Sequence, residues 1–135
     1  MKNSNKSAHL KEKLKQALNS TFKVISDDFK IDKNISSKKD EFFDLQNLDS
    51  KKDFIEARAK TDSLALKKKF SDEKIFKKNL PSNPSCKSLY TFAEKIRYES
   101  LGFEILKGIK KNLEDDYNEK INLKRKDQIK SKEDV

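Results

Sequence analysis

Apolar side chains recur at helical spacing along most of this chain. From Ser7 to about Ser26, Leu10, Leu14, Leu18, Phe22 and Ile25 fall on one face with lysines opposite, which predicts an amphipathic helix. Residues 29–35 alternate apolar and polar, which predicts a short extended segment that pairs with residues 42–48 in a small hairpin. Ser50 has the side chain of a helix N-cap, and Asp53 follows in the first turn, near the positive end of the helix dipole. The second helix then carries Phe54, Ala57, Thr61, Leu64 and Ala65 and ends near Phe70. A helical turn around residues 72–79 and a Pro81–Pro84 linker lead into the third.

That third helix has the clearest stripe: Leu89, Phe92, Ala93, Ile96, Phe103, Leu106 and Leu113, expected to face the core. Gly102 and Gly108 interrupt it, and each would cost about 1 kcal/mol relative to alanine in a helix interior. A break, kink or close helix contact near Gly102 follows. Beyond Tyr117 the pattern fades into charged residues. The expected architecture is mainly α: three main helices over residues 7–118, a possible hairpin, a disordered segment over 1–6 and a charged tail over 119–135.

Composition supports this picture. Gly and Pro total four, too few for a turn-rich sheet protein, and 41% of the residues are charged against 33% hydrophobic. A net charge of +9 raises the question of nucleic acid. The 23 acidic residues are interleaved with the basic ones, and no Cys/His finger or aromatic–basic signature is present, so that reading is disfavoured. The single cysteine, Cys86, cannot close an internal disulfide, and no apolar run is long enough for a membrane span. A cytoplasmic protein is expected.

Candidate chemistry is sparse. The chain has no glycine-rich phosphate loop, and His9 and Cys86 are too few and too far apart for a zinc site. Glu114, Asp115 and Asp116 point in different directions as successive helix residues and read as a solvated cluster. The arginines stand out instead. Only Arg58, Arg97 and Arg125 occur, while lysine supplies the other 29 basic residues. A chain that writes its positive charge as lysine keeps arginine where a planar, bidentate guanidinium is needed. Arg58 lies four residues before Asp62, and Glu94 three before Arg97, so each pair can meet on its helix. They form either surface ion pairs or bridges between helices or to a partner.

These segments resemble the N-terminal region of the CobT subunit family of aerobic cobaltochelatase. Leu14-Lys-Gln-Ala-Leu-Asn-Ser-Thr21, Val24-Ile25 and Phe29-Lys-Ile-Asp32 are similar to its opening. Arg58-Ala-Lys-Thr-Asp62-Ser-Leu-Ala-Leu66 is similar to R-G-x-A-D-x-x-A-L. Glu94-Lys-Ile-Arg97-Tyr-Glu99-Ser-Leu-Gly102, with Gly108-Ile109 and Asn112-Leu113, resembles E-Q-A-R-V-E-A-L-G and G-V-x-x-N-L. The chain departs at Ala59, where the family has glycine, at Thr61, where it has alanine, and at Ser71, where a histidine usually precedes the aspartate. It also has no D-x-S-x-S motif of the family's von Willebrand A-type domain, so a fragment, a truncated product or a stand-alone module is expected.

The resemblance implies a non-catalytic subunit of an ATP-dependent complex that inserts cobalt(II) into hydrogenobyrinic acid a,c-diamide during cobalamin synthesis. The implied partners are a CobS-like AAA+ ATPase and a CobN-like macrocycle-binding subunit. ATP and cobalt(II) are used by that complex, and no cofactor is expected on this chain. Arg58, Asp62, Glu94, Arg97, Glu99, Gly102 and Asn112 are the expected packing or interface residues. The alternatives are a module of another AAA+/von Willebrand A pair that matures a metalloenzyme, or a small basic nucleic-acid-binding protein.

Overall fold

A computed structural model describes residues 2–27 and 48–133, with side chains from 6 to 27 and 48 to 128. The described residues are mainly α: α1 (Lys2–Ser26), α2 (Lys51–Phe70), α3 (Glu73–Lys78), α4 (Pro84–Ile105) and α5 (Lys107–Glu133). The predicted hairpin over 29–35 and 42–48 lies almost wholly outside them.

Local sequence explains the helix ends. Ser50 closes a capping box with Asp53: its hydroxyl accepts from the Asp53 N–H at 3.2 Å, and its own N–H donates to Asp53 Oδ2 at 2.9 Å. Asp72 caps α3 by accepting from the N–H groups of Lys74 and Ile75. Asn83 caps α4, whose first residue is Pro84, a position where a missing N–H is harmless. Asp27, just beyond α1, takes φ 55°, the left-handed conformation that Asp tolerates at a helix end.

α2 is the central element, touching α1, α4 and α5. Lys11 pairs with Asp49 at 3.6 Å and Lys69 with Asp27 at 2.6 Å, so α1 and α2 run in the same direction. α5 turns back along α4, bringing Tyr117 against Glu99. The core joins Phe22 and Ile25 of α1, Ala59, Ala65 and Leu66 of α2, Tyr98 of α4, and Ile109 and Leu113 of α5. On α2 the buried positions are 59, 61, 62, 63, 65 and 66, which wrap most of the helix circumference. A helix surrounded in this way has no single apolar face, and small side chains let its neighbours approach.

The structure corrects several sequence expectations. α1 begins at Lys2 rather than Ser7, and α5 stays helical to Glu133, well past the point where its apolar pattern fades. Its last described turns are exposed and rich in the good helix formers Lys, Arg and Gln. The predicted third helix is two helices, and the break falls at Leu106 rather than at Gly102. Leu106 is extended while its N–H still reaches the Gly102 carbonyl at 3.0 Å. Gly102 itself stays helical and makes the close helix contact that was one of the readings there, against Leu66 of α2. A Cβ there would lie 2.6 Å from Leu66 Cδ2.

The largest correction concerns the stripe of the third helix. Leu89, Phe92 and Ile96 are 69%, 56% and 49% exposed, and Leu106 is exposed too, whereas Tyr98, Glu99 and Gly102 make the contact with α2. Leu113 is buried as expected, but on α5. α4 is attached by its polar and glycine side because that side supplies hydrogen bonds and a close approach. Phe103 packs against the core as expected, whereas Leu89, Phe92, Ala93 and Ile96 lie on a face that the described core does not cover.

Candidate interhelical polar site

Two adjacent residues of α2 reach in different directions. Ser63 donates to Glu99 Oε1 at 2.5 Å on α4, and Asp62 Oδ2 accepts from Asn112 Nδ2 at 2.7 Å on α5. Successive helix residues are about 100° apart, so α2 is held from two sides. Glu99 is the hub. Its second oxygen, Oε2, accepts from the Tyr117 hydroxyl at 2.6 Å, and Lys95 Nζ lies 3.8 Å from Oε1 and 5.5 Å from the Tyr117 ring centroid. Among the described residues every buried side-chain nitrogen and oxygen has a hydrogen-bond partner. That is the condition under which buried polar groups hold a structure together rather than weaken it.

Environment tunes these groups. Burial pushes the Asp62 carboxyl up from its ordinary value, opposed by the Asn112 hydrogen bond and by the charge of Arg58. Burial and the Glu99 carboxylate both push the Tyr117 hydroxyl up, because ionising it would set two negative charges side by side. Tyr98, also buried, is raised for the same first reason.

A second cluster sits at the C-terminal end of α2. Arg97 Nη2 donates to the Phe70 carbonyl at 2.7 Å and to Glu94 Oε1 at 2.8 Å, while its Nε donates to Glu94 Oε2 at 2.8 Å. Ser71 donates to Glu94 Oε1 at 2.6 Å. The guanidinium thus grips a carboxylate in its fork and uses a remaining donor to satisfy an end carbonyl of α2, a geometry lysine cannot reproduce. Arg97 holds the Glu94 carboxyl down to about 2, with help from Ser71 and against a smaller burial effect.

Of the residues singled out in the sequence, Asp62, Glu94, Arg97, Glu99, Gly102 and Asn112 therefore meet at the seams of α2 with α4 and α5. Arg58 does not: it is exposed on α2 and acts on Asp62 only through its charge. The acidic cluster is not uniformly solvated, since Asp116 is buried and accepts from Lys120 Nζ at 2.6 Å, in contrast to exposed Glu114. Ser63, Ser71 and Tyr117 also bond across these seams, though they were not singled out in the sequence. A run of three polar residues, Thr61-Asp62-Ser63, in mid-helix was the available signal for Ser63. Nothing in the spacing marked Ser71 or Tyr117. Among the described residues no group of three His, Cys, Asp or Glu side chains could hold a metal ion, and no helix is long and apolar enough to cross a membrane.

Fold and site together define a helical packing unit, in which carboxylates and a guanidinium fix how helices sit against one another. The chain matches the family model described as cobalamin biosynthesis protein CobT over residues 9–135. It belongs to that family, and so to the proteins of cobalamin biosynthesis. No curated protein and no solved structure matches it.

Proposed function

We propose that this chain is a non-catalytic docking module of the CobT subunit of ATP-dependent aerobic cobaltochelatase, supporting cobalt(II) insertion into hydrogenobyrinic acid a,c-diamide. One observation carries the reading. Four charged residues of the family-like segments, Asp62, Glu94, Arg97 and Glu99, are engaged in contacts that hold α2, α4 and α5 together. Side chains used in this way stiffen a scaffold; they are not available to move protons or hold a substrate. In this reading ATP hydrolysis belongs to a CobS-like AAA+ partner, macrocycle binding belongs to a CobN-like subunit, and cobalt(II) is the cargo of the assembly. The module works in the cytoplasm.

The test is a pulldown of the purified chain with the CobS-like ATPase of the same organism, with and without ATP. Retention of the chain, weakened by Arg97→Ala, is expected. Wild-type chain that passes through unretained in both conditions refutes the docking role.

A further inference from the structure

The face that α4 turns away from its own bundle holds Ser85, Leu89, Phe92, Ala93, Ile96 and Ser100, all exposed. In a chain with 41% charged residues, this stripe has no charge along more than four helical turns. Its positions also pair off about one centre. About a centre between Phe92 and Ala93, Leu89 mirrors Ile96 and Ser85 mirrors Ser100, so large sits opposite large of equal reach and small opposite small. At the centre itself Phe92 faces Ala93, a bulky ring against a methyl. A two-fold interface requires each side chain to fit its mirror position on the other copy, and these uncharged pairs do: ring against methyl at the centre, aliphatic against aliphatic on either side.

We infer that the stripe is the pairing surface for a second copy of this chain, with two α4 helices packed antiparallel about an axis between Phe92 and Ala93. Charge agrees with the register. No charged side chain of α4 meets another charged one: Lys95 falls opposite Tyr90, and Arg97 opposite Ser88. The serines at both ends and Ala93 in the middle let the helix axes approach closely. Arg97 and Glu94 stay on their own seam, so pairing does not compete with the contacts that hold α4 to α2.

One helix pair is small beside the interfaces of permanent dimers, so the dissociation constant is on the order of 10–100 µM. Sedimentation velocity over about 5–500 µM brackets that constant and should show monomer passing into dimer. Phe92→Glu puts a charge on an exposed position of a helix, leaves the circular dichroism unchanged, and should weaken the dimer by at least roughly tenfold. Register is read by cysteine cross-linking in a Cys86→Ser background. In the antiparallel pair the two copies of position 93 are offset by about 1.5 Å along the axes, while the two copies of position 89 are offset by about 10 Å. The latter exceeds the ~7 Å Cα separation a disulfide can span. Ala93→Cys should therefore oxidise to a covalent dimer, and Leu89→Cys should not. A chain that stays monomeric throughout, a dimer that Phe92→Glu leaves intact, or equal cross-linking at the two positions overturns the inference and assigns the stripe to a different partner.

Discussion

Replacing Gly102 by alanine sets two effects of known sign against each other. The helix itself gains, since alanine is favoured over glycine in a helix interior by about 1 kcal/mol. The packing loses. The new Cβ would lie 2.6 Å from Leu66 Cδ2 and 3.0 Å from Leu66 Cγ, closer than real methyl groups come. Leu66 is 1% exposed and is among the largest fully buried side chains, so it has no empty space to swing into. Overpacking of this kind typically costs about 1–3 kcal/mol, and contacts this short in so confined a place belong at the upper end. The net expectation is a loss of about 2 kcal/mol. Gly108 is the internal control, because a Cβ there meets nothing within 4 Å. Gly108→Ala should gain up to about 1 kcal/mol through the unfolded state alone.

Urea denaturation followed by circular dichroism measures both, with the m-value checked for constancy. A double-mutant cycle with Leu66→Val isolates the contact: shortening Leu66 should recover part of the Gly102→Ala loss, giving a coupling of about 1 kcal/mol. If Gly102→Ala is as stable as the wild type, or the cycle closes with no coupling, α2 and α4 do not meet at Leu66 and Gly102.

Three further outcomes follow from the polar seams. Glu99→Ala removes the acceptor of the buried Ser63 and part-buried Tyr117 hydroxyls and should cost about 2–3 kcal/mol in urea unfolding, against about 1 kcal/mol for Tyr117→Phe, which leaves the carboxylate its other partners. The Glu94 carboxyl, held at about 2, contributes stability that is fully present above the ordinary value of 4.5 and is lost as pH falls from there toward about 2. Arg97 is 48% exposed, so the effect is limited to about 1 kcal/mol, and an acid titration of Glu94→Gln should lack that component. Asp62 is the reverse case. Its carboxyl is raised, so its contribution is full at low pH and declines as pH rises through the folded value. Asp62→Asn should therefore gain stability relative to wild type at pH 7 and lose that advantage below pH 4 in paired urea titrations, and a constant difference across the range would refute the assignment.

What could be read in advance, and what could not, divides along physical lines. The cap at Ser50 was legible because it depends on residues three apart in sequence. So was the buried face of α1, where Leu18, Phe22 and Ile25 meet one neighbour on one side. α2 was harder. Its buried Thr61, Asp62 and Ser63 break every amphipathic pattern, because partners surround the helix and polar partners accept polar side chains. On α4 the period was right and its meaning wrong. Spacing shows that Leu89, Phe92 and Ile96 share a face but carries no information about what covers it. Of the readings open at Gly102, a break, a kink or a close helix contact, the last holds, because glycine marks either a turn or a close approach and only the position of Leu66 distinguishes them; the break itself falls at Leu106.

The buried polar groups explain how so thin a core defines one arrangement. Its largest side chains are few, and α2 presents mostly small ones, so apolar packing alone would tolerate rotation of α2 about its axis. Hydrogen bonds do not tolerate it. Asp62 must face Asn112 while Ser63 faces Glu99, and turning α2 by one residue breaks both and leaves buried groups unpaired. The Arg97–Phe70 contact then fixes α4 against the end of α2. These restraints act from Glu94 onward, and before it Tyr90 stacks on Phe76 of α3 with ring centroids 5.2 Å apart, so the first half of α4 is held in direction while Leu89 and Phe92 stay exposed. Among the described residues, its uncharged face therefore stands outside the bundle on a helix whose direction is fixed.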